Sequence, residues 1–308
     1  MATDTTAATT EAGAPPAVDP RSRWRQILDL LVSNRLALFA MVVLGLVLLA
    51  AVFGPWLAPF GVNEVIVQDR LQAPGLDHIF GTDELGRDVF SRVLLGARAS
   101  LVVGVVAVGI SLTAGTLLGL IAGFYGGKTD DFIMRGMDVL FAFPAILMAI
   151  AVLAILGPGL VNAMIAIGIV YTPIFARITR GSVLSVREEV YVRAARSLGA
   201  RDARLIGLHI LPNVAAPIIV QTTISLAFAI LSEAALSFLG LGVQPPAASW
   251  GRMLAEGRGF IQQAWWMAVF PGLAIFVTVL SFNLIGDALR DVLDPRQRSA
   301  IESRGLAG

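Results

Sequence analysis

Side chains that could carry out chemistry are scarce in this chain. It has two histidines, His78 and His209, and no cysteine, so a disulfide framework and a thiolate site are excluded. No His-Glu-x-x-His or Gly-x-Ser-x-Gly pattern occurs, so neither a zinc-protease helix nor a nucleophile elbow is present. Gly126-Gly127-Lys128-Thr129 has the ending of a phosphate loop. That motif needs a further glycine five positions before the second one, where Ala122 stands, and an apolar run precedes it instead of a strand. The chain is therefore expected to bind no cofactor and not to hydrolyse ATP.

Three polar residues stand within or against apolar runs: Asp138, Glu233 and Asn283. A carboxylate at the centre of a bilayer costs about 2.5–3.5 kcal/mol, and ionisable groups at such depth often serve a pathway. Asp138 follows Arg135 by three residues and can pair with it. Glu233 has neither His nor Lys near it in sequence; it either faces a pathway or packs inside a bundle or at a subunit interface. The same readings apply to Asn283.

The elements that hold these residues are apolar helices. The 308-residue chain is 56% hydrophobic and only 15% charged, too few charges to clothe a soluble domain of this size. Mean hydropathy is +0.77, and the apolar residues fall in long blocks. Net charge is +1, which gives no electrostatic footprint for nucleic acid. Six spans are expected, at about Leu36–Phe53, Ser100–Phe124, Met137–Leu156, Leu160–Ala176, Ala215–Leu239 and Trp266–Ile285. Residues 1–20, rich in Ala, Thr and Pro, read as a disordered tail. Trp24, Ile27, Leu28 and Leu31 recur at helical spacing among arginines, either as an amphipathic surface helix or as the start of the first span.

Basic residues set the orientation. With six spans, Arg21, Arg23, Arg25 and Arg35, the Lys128–Arg135 break, the arginine-rich 177–212 segment and the C-terminal arginines share one side. Fewer basic residues, among them Arg70, Arg87, Arg92, Arg98, Arg252 and Arg258, fall on the other. Both termini and the 177–212 segment are therefore expected in the cytosol, with His78 and His209 on opposite sides. Ser111, Gly115, Gly119 and Gly123 form a small-residue stripe at a four-residue step, which lets another helix approach closely. Gly157-Pro158-Gly159 predicts a tight turn, and Pro144, Pro173, Pro217 and Pro271 predict kinks.

The long cytosolic segment predicts a short helix over 187–198. Val190, Ala194 and Leu198 would make one apolar stripe, Glu189 and Arg193 could pair at i, i+4, and Gly199 could end the helix with a left-handed angle. Asp202 is a candidate N-cap for a second short helix. An apolar stripe with a cationic rim, in an otherwise charged loop, suits a docking surface.

These residues resemble the second permease subunit of the bacterial dipeptide/oligopeptide/nickel group of ABC importers. Arg193-Ala194-Ala195-Arg196-Ser197-Leu198-Gly199, with the later Leu211-Pro212, is similar to that family's Glu-Ala-Ala…Gly…Leu-Pro loop, with Arg193 in place of Glu. The stretches Phe80–Arg92, Leu239–Pro246, Ser249-Trp250-Gly251 and Asn283–Asp291, followed by Asp294-Pro295-Arg296, also match. The resemblance implies an all-α integral membrane protein of the type I importer fold in the bacterial inner membrane. It implies an N-terminal region at 21–98, a permease core at 99–290 with a coupling loop at 183–212, and a cytosolic tail at 291–308. Glu189, Tyr191, Val192, Arg193, Ala194, Ala195, Arg196, Ser197, Leu198, Gly199, Ala200 and Pro212 would form the ATPase-coupling loop. The implied partners are a homologous second permease, two ATPase subunits or one fused pair that use ATP and Mg, and an extracytoplasmic binding protein. Short peptides are the expected cargo, with nickel chelates, glutathione or cell-wall peptides as alternatives. An ion-gradient-driven secondary transporter is the rival reading.

Overall fold

In a computed structural model, which describes residues 32 and 34–293, the chain folds into helices running through one bundle. The helical pattern read at Trp24–Leu31 and the segments 1–20 and 294–308 lie outside the described residues. α1 (Arg35–Leu57) starts at Asn34, whose side chain accepts from Leu36 N and Ala37 N. α2 (Val89–Tyr125) starts at Asp88, whose carboxylate accepts from Ser91 N at 2.7 Å, and stops at Gly126, where φ is +68°. α3 (Gly127–Phe141) and α4 (Ala145–Leu156) follow, then α5 (Leu160–Val186) and α6 (Val190–Ser197). A single turn at Asp202–Arg204 and a π-helical stretch at Leu205–Ile210 run into α7 (Leu211–Phe238). α8 (Trp250–Gly257) and α9 (Trp266–Leu293) complete the chain.

Five stretches are long and apolar enough to cross a membrane: α1, α2, α5, the run Asp202–Phe238 and α9. The sixth crossing differs from its expectation. Instead of one rod over Met137–Leu156, α3 and α4 meet at 92° across a short break ending at Pro144. Proline has no N–H to give and restricts the residue before it, so the helix cannot continue through 142–144. Lys128, Asp130, Asp131 and Arg135 are not a loop but the first turns of α3. α2 also begins at Val89, well before Ser100, because the charges of its first turns are neutralised by partners from elsewhere in the fold.

The predicted small-residue stripe is the closest seam in the bundle. A Cβ on Gly115 would fall 2.5 Å from Phe175 Cβ, one on Gly119 2.5 Å from Ala176 O, and one on Gly123 2.8 Å from Val183 Cβ. No side chain fits there, so α2 and α5 pack backbone to backbone. Pro173, Pro217 and Pro271 sit inside α5, α7 and α9 as expected, and α1 carries a further one, Pro55.

Packing sorts the connections onto two ends. Ala37 near the start of α1 clusters with Ala288 and Val292 near the end of α9, while Arg187 after α5 donates to Gly123 O at the end of α2. At the opposite end Gly54 of α1 meets Leu94 of α2, and Gly159 N donates to Leu241 O at 3.1 Å. The chain thus alternates ends six times, with the α3–α4 pair counted as one crossing. His78 and His209 lie at opposite ends.

Candidate functional site

The arginine-rich end presents α6. Glu189 stands at the helix start in an extended conformation without a side-chain capping bond, and the side-chain pair expected between Glu189 and Arg193 does not form. Only the backbone joins them, through Arg193 N to Glu189 O at 3.1 Å. Gly199 ends the helix at φ +82°, as its type predicts, with Ala200 N bonded to Ala195 O. Asp202 is not an N-cap but the first helical residue of the next turn.

Val192 is fully buried among the side chains of Leu205, Ile210 and their neighbours, and Ala195 packs half-buried beside it, so one face of α6 is anchored. The other face is bare: Val190 is 72% exposed and Leu198 89%, with Ala194 exposed between them. Tyr191, Arg193, Arg196 and Ser197 are exposed around that stripe, and the Arg196 guanidinium lies 5.2 Å from the Phe124 ring centre. Pro212 is the second residue of α7, directly after the π-helical stretch in a helical run that continues from Asp202.

α6 is mounted on a braced support. Arg187 Nη1 donates to Gly123 O at 2.7 Å, closing α5 onto α2. Arg180 grips Asp130 on α3 through Nε and Nη2 together. Asp138 pairs with Arg177 at 2.6 Å and not with Arg135, and the Arg177 guanidinium covers the Phe141 ring at 4.1 Å. α3 lies along α5 at this level, so Arg177 reaches Asp138 from the neighbouring helix.

Glu233 is turned into the bundle, and Asn283 is half-buried. Glu233 is 1% exposed; its Oε1 accepts from Ser237 Oγ at 2.7 Å, while Oε2 has no partner among the described residues. Ser237 Oγ in turn accepts from Val243 N at 3.0 Å, tying α7 to the loop before α8. Asn283 donates to Val279 O on its own helix.

The far end holds a buried ionic knot that sequence reasoning did not assign. Glu256 on α8 accepts from Arg92 at 2.9 Å, Arg87 at 3.2 Å and Arg252 at 3.0 Å, while Asp83 pairs with Arg87 Nε. Arg92 is 1% exposed, so its charge depends wholly on these partners. Burial pushes the Glu84 carboxyl above its usual range, more than the neighbouring Asp83 and Glu256 charges do. His78 bridges Asp88 at 2.9 Å, and Trp266 Nε1 donates to Thr82 O at 2.9 Å. The density of charges over 83–92 was a signal in the sequence; Glu256, on a distant helix, was not.

A bundle of apolar helices that crosses up to six times and presents, at its basic end, a short helix with an exposed apolar stripe has the build of a membrane protein with an uncovered docking face. The family model for the inner membrane component of binding-protein-dependent transport systems matches residues 115–299, and the model for the N-terminal transmembrane domain of oligopeptide transport permease C matches 22–74. The chain is 49% identical over 294 residues to the dipeptide transport system permease protein DppC of Alkalihalophilus pseudofirmus, covering 94% of this chain and 97% of that one. It is 48% identical over 287 residues to the glutathione transport system permease protein GsiD of Escherichia coli, covering 92% and 95%. Its fold is similar to that of the MetNI methionine ABC transporter in an inward-facing form, with a TM-score of 0.55 at 16% identity over 67% of this chain and 97% of that one. This chain belongs to the family of binding-protein-dependent inner-membrane permeases: it is a multi-pass transport subunit of a bacterial inner membrane and not a member of a catalytic family.

Proposed function

We propose that the chain is one of two permease halves of an importer of short peptides, and that α6 is the contact through which separate ATPase subunits move it. The observation that carries the coupling role is the pairing of an uncovered Val190–Ala194–Leu198 stripe with a fully buried Val192 on the same short helix. Such a helix can take a push from a partner and pass it to the bundle without unfolding. Its exposed Arg193 and Arg196 suit an acidic rim on the ATPase groove. ATP and Mg belong to two ATPase subunits or one fused pair. ATP-driven closure of these subunits shifts α5 and α3 as a braced unit and opens the pathway between this chain and a homologous second permease. An extracytoplasmic binding protein delivers the cargo.

The relatives named for dipeptide and glutathione transport support a peptide cargo, since glutathione is itself a small peptide. The assembled importer in proteoliposomes should hydrolyse ATP faster when its binding protein carries a dipeptide. Stimulation by glutathione alone would select the second reading, and uptake by this chain with an ion gradient and no ATP would overturn both.

A further inference from the structure

α7 is held by neighbours on three sides. On the α2 side, a Cβ on Gly104 would stand 3.0 Å from Ile230 Cγ1. From α5, the Tyr171 hydroxyl shares a hydrogen bond with Ser232 Oγ at 2.8 Å. From α9, a Cβ on Gly286 would fall 2.6 Å from Thr223 Oγ1. The fourth side has no such cover. Pro217, Gln221, Ile224, Phe228 and Leu231 follow one another at steps of four and three, which puts them on one face of the helix. Pro217, Phe228 and Leu231 are exposed there, and Gln221 and Ile224 are half-buried between them.

At the α6 end of this face a cleft of about 530 Å³ opens between α5, α7 and α9. Small-molecule sites run from about 300 to 1,000 Å³. α7 supplies Asn213, Ala216, Pro217, Val220, Gln221 and Ile224 to its wall, Ile178 of α5 lies on one flank, and Arg290 and Leu293 of α9 on the other. Gln221 stands within one membrane-crossing run and Arg290 within another, and polar groups in such runs turn to a bundle interior or a watered cavity. Arg290 is exposed and makes no ion pair or hydrogen bond among the described residues, although Asp287 and Asp291 stand near it on α9. It lies four residues past Gly286, about 6 Å beyond the contact with Thr223, so it faces the wall between the two amides. Asn213 Nδ2 donates to His209 O at 2.7 Å and Gln221 Nε2 to Ser225 Oγ at 3.1 Å. The two amide oxygens accept from no group among the described residues, and no acidic residue lines the cleft.

We propose that this cleft is a cargo site within the transport pathway: Arg290 binds the C-terminal carboxylate of a short peptide, and the amide oxygens of Asn213 and Gln221 accept from its N-terminal ammonium. The inference rests on the peptide-importer reading above and adds to it the residues of this chain that hold the cargo. Three features select this occupant. A guanidinium without an acidic partner matches a carboxylate in charge and in the geometry of its fork. Free amide oxygens on the facing wall suit an ammonium, so the cleft complements a zwitterion and not a simple anion. The rest of the lining, with Ile178, Val220, Ile224 and Leu293, is apolar and has no group that would choose among side chains. A site built this way reads the two ends that all short peptides share. It also lies on the one face of α7 that this chain leaves uncovered, where a second permease half can close over it.

The test uses the importer assembled with its partner subunits, without binding protein or ATP. Ala216→Cys places a thiol in the cleft wall of a chain that has no cysteine of its own. Millimolar dialanine should slow labelling of that thiol by a small maleimide at least threefold, whereas dialanine amide, which lacks the carboxylate, should not. Adding Arg290→Gln should abolish the protection, and Arg290→Lys should keep most of it, a pattern that a loss of packing alone does not produce. With Arg290 unaltered, no protection by dialanine, or equal protection by the amide, would overturn the proposal whether or not either Arg290 variant folds. So would protection that persists in Arg290→Gln, or a thiol that the maleimide cannot reach in the assembled importer. Dipeptide uptake by proteoliposomes without this protection would overturn the site alone and leave the peptide reading intact; absence of dipeptide uptake would overturn that reading itself.

Discussion

Arg180 and Asp130, fifty residues apart in sequence, are joined by two hydrogen bonds from one guanidinium to one carboxylate, and this pair locks α5 to α3. α5 ends next to α6, and α3 meets the membrane-crossing α4 at 92°. A displacement of α6 therefore reaches the elbow through a link that resists rotation as well as separation. The Arg180 side chain is 35% exposed, so the pair contributes at most about 1 kcal/mol to stability. Its value lies in geometry. Arg180→Lys keeps the charge and loses the fork. Thermal stability should barely change, whereas uptake per ATP hydrolysed should fall several-fold. An unchanged ratio would remove the pair from the transmission path.

Gly199 holds a left-handed angle with open space around it. A side chain there meets no neighbour, so a substitution acts only through the backbone, at about 1–2 kcal/mol. Gly199→Val should insert normally and assemble. Peptide uptake should drop at least tenfold while basal ATP hydrolysis continues, measured on the same proteoliposomes.

The α2–α5 seam has no such tolerance. Gly119→Leu places atoms where Ala176 O already lies, and overpacking of this kind costs about 1–3 kcal/mol or forces the helices apart. Yield of the folded chain after detergent extraction should fall sharply. Gly136→Leu, at a glycine with nothing within 4 Å, should leave yield unchanged and serves as the control.

The ionic knot makes a different prediction. Glu256→Ala leaves Arg87, Arg92 and Arg252 without their shared acceptor, and breaking a buried pair costs about 3–5 kcal/mol. The 58–88 loop should become sensitive to protease added from the side opposite α6. Glu256→Gln keeps an acceptor oxygen and should lose less, visible as an intermediate cleavage rate.

What the sequence revealed divides by distance along the chain. Most of the apolar spans, the Gly115–Gly119–Gly123 seam, the left-handed Gly199 and the Val190–Leu198 stripe are encoded by local spacing and were legible. Pro144 signalled a break, but no local rule states the angle, which is set by where α3 finds its partners on α5. Asp138 illustrates the limit: Arg135 is three residues away, yet Asp138 pairs with Arg177 on the neighbouring helix, 39 residues on. The charges of Arg87 and Arg92 read as the end of a polar loop because their acceptor, Glu256, is more than 160 residues distant. Glu233 could face either way by sequence, and Ser237 with the α8 loop turns it inward.

The central claim is that the bare stripe of α6 lies in the cytosol against an ATPase subunit. The chain has no cysteine, so Leu198→Cys creates a single thiol at a position 89% exposed. A bifunctional thiol reagent applied to inside-out membrane vesicles should join this residue to the ATPase, and a membrane-impermeant maleimide should fail to label it in intact cells. Labelling of Leu198→Cys from outside intact cells, with no cross-linked ATPase recovered, would contradict the account.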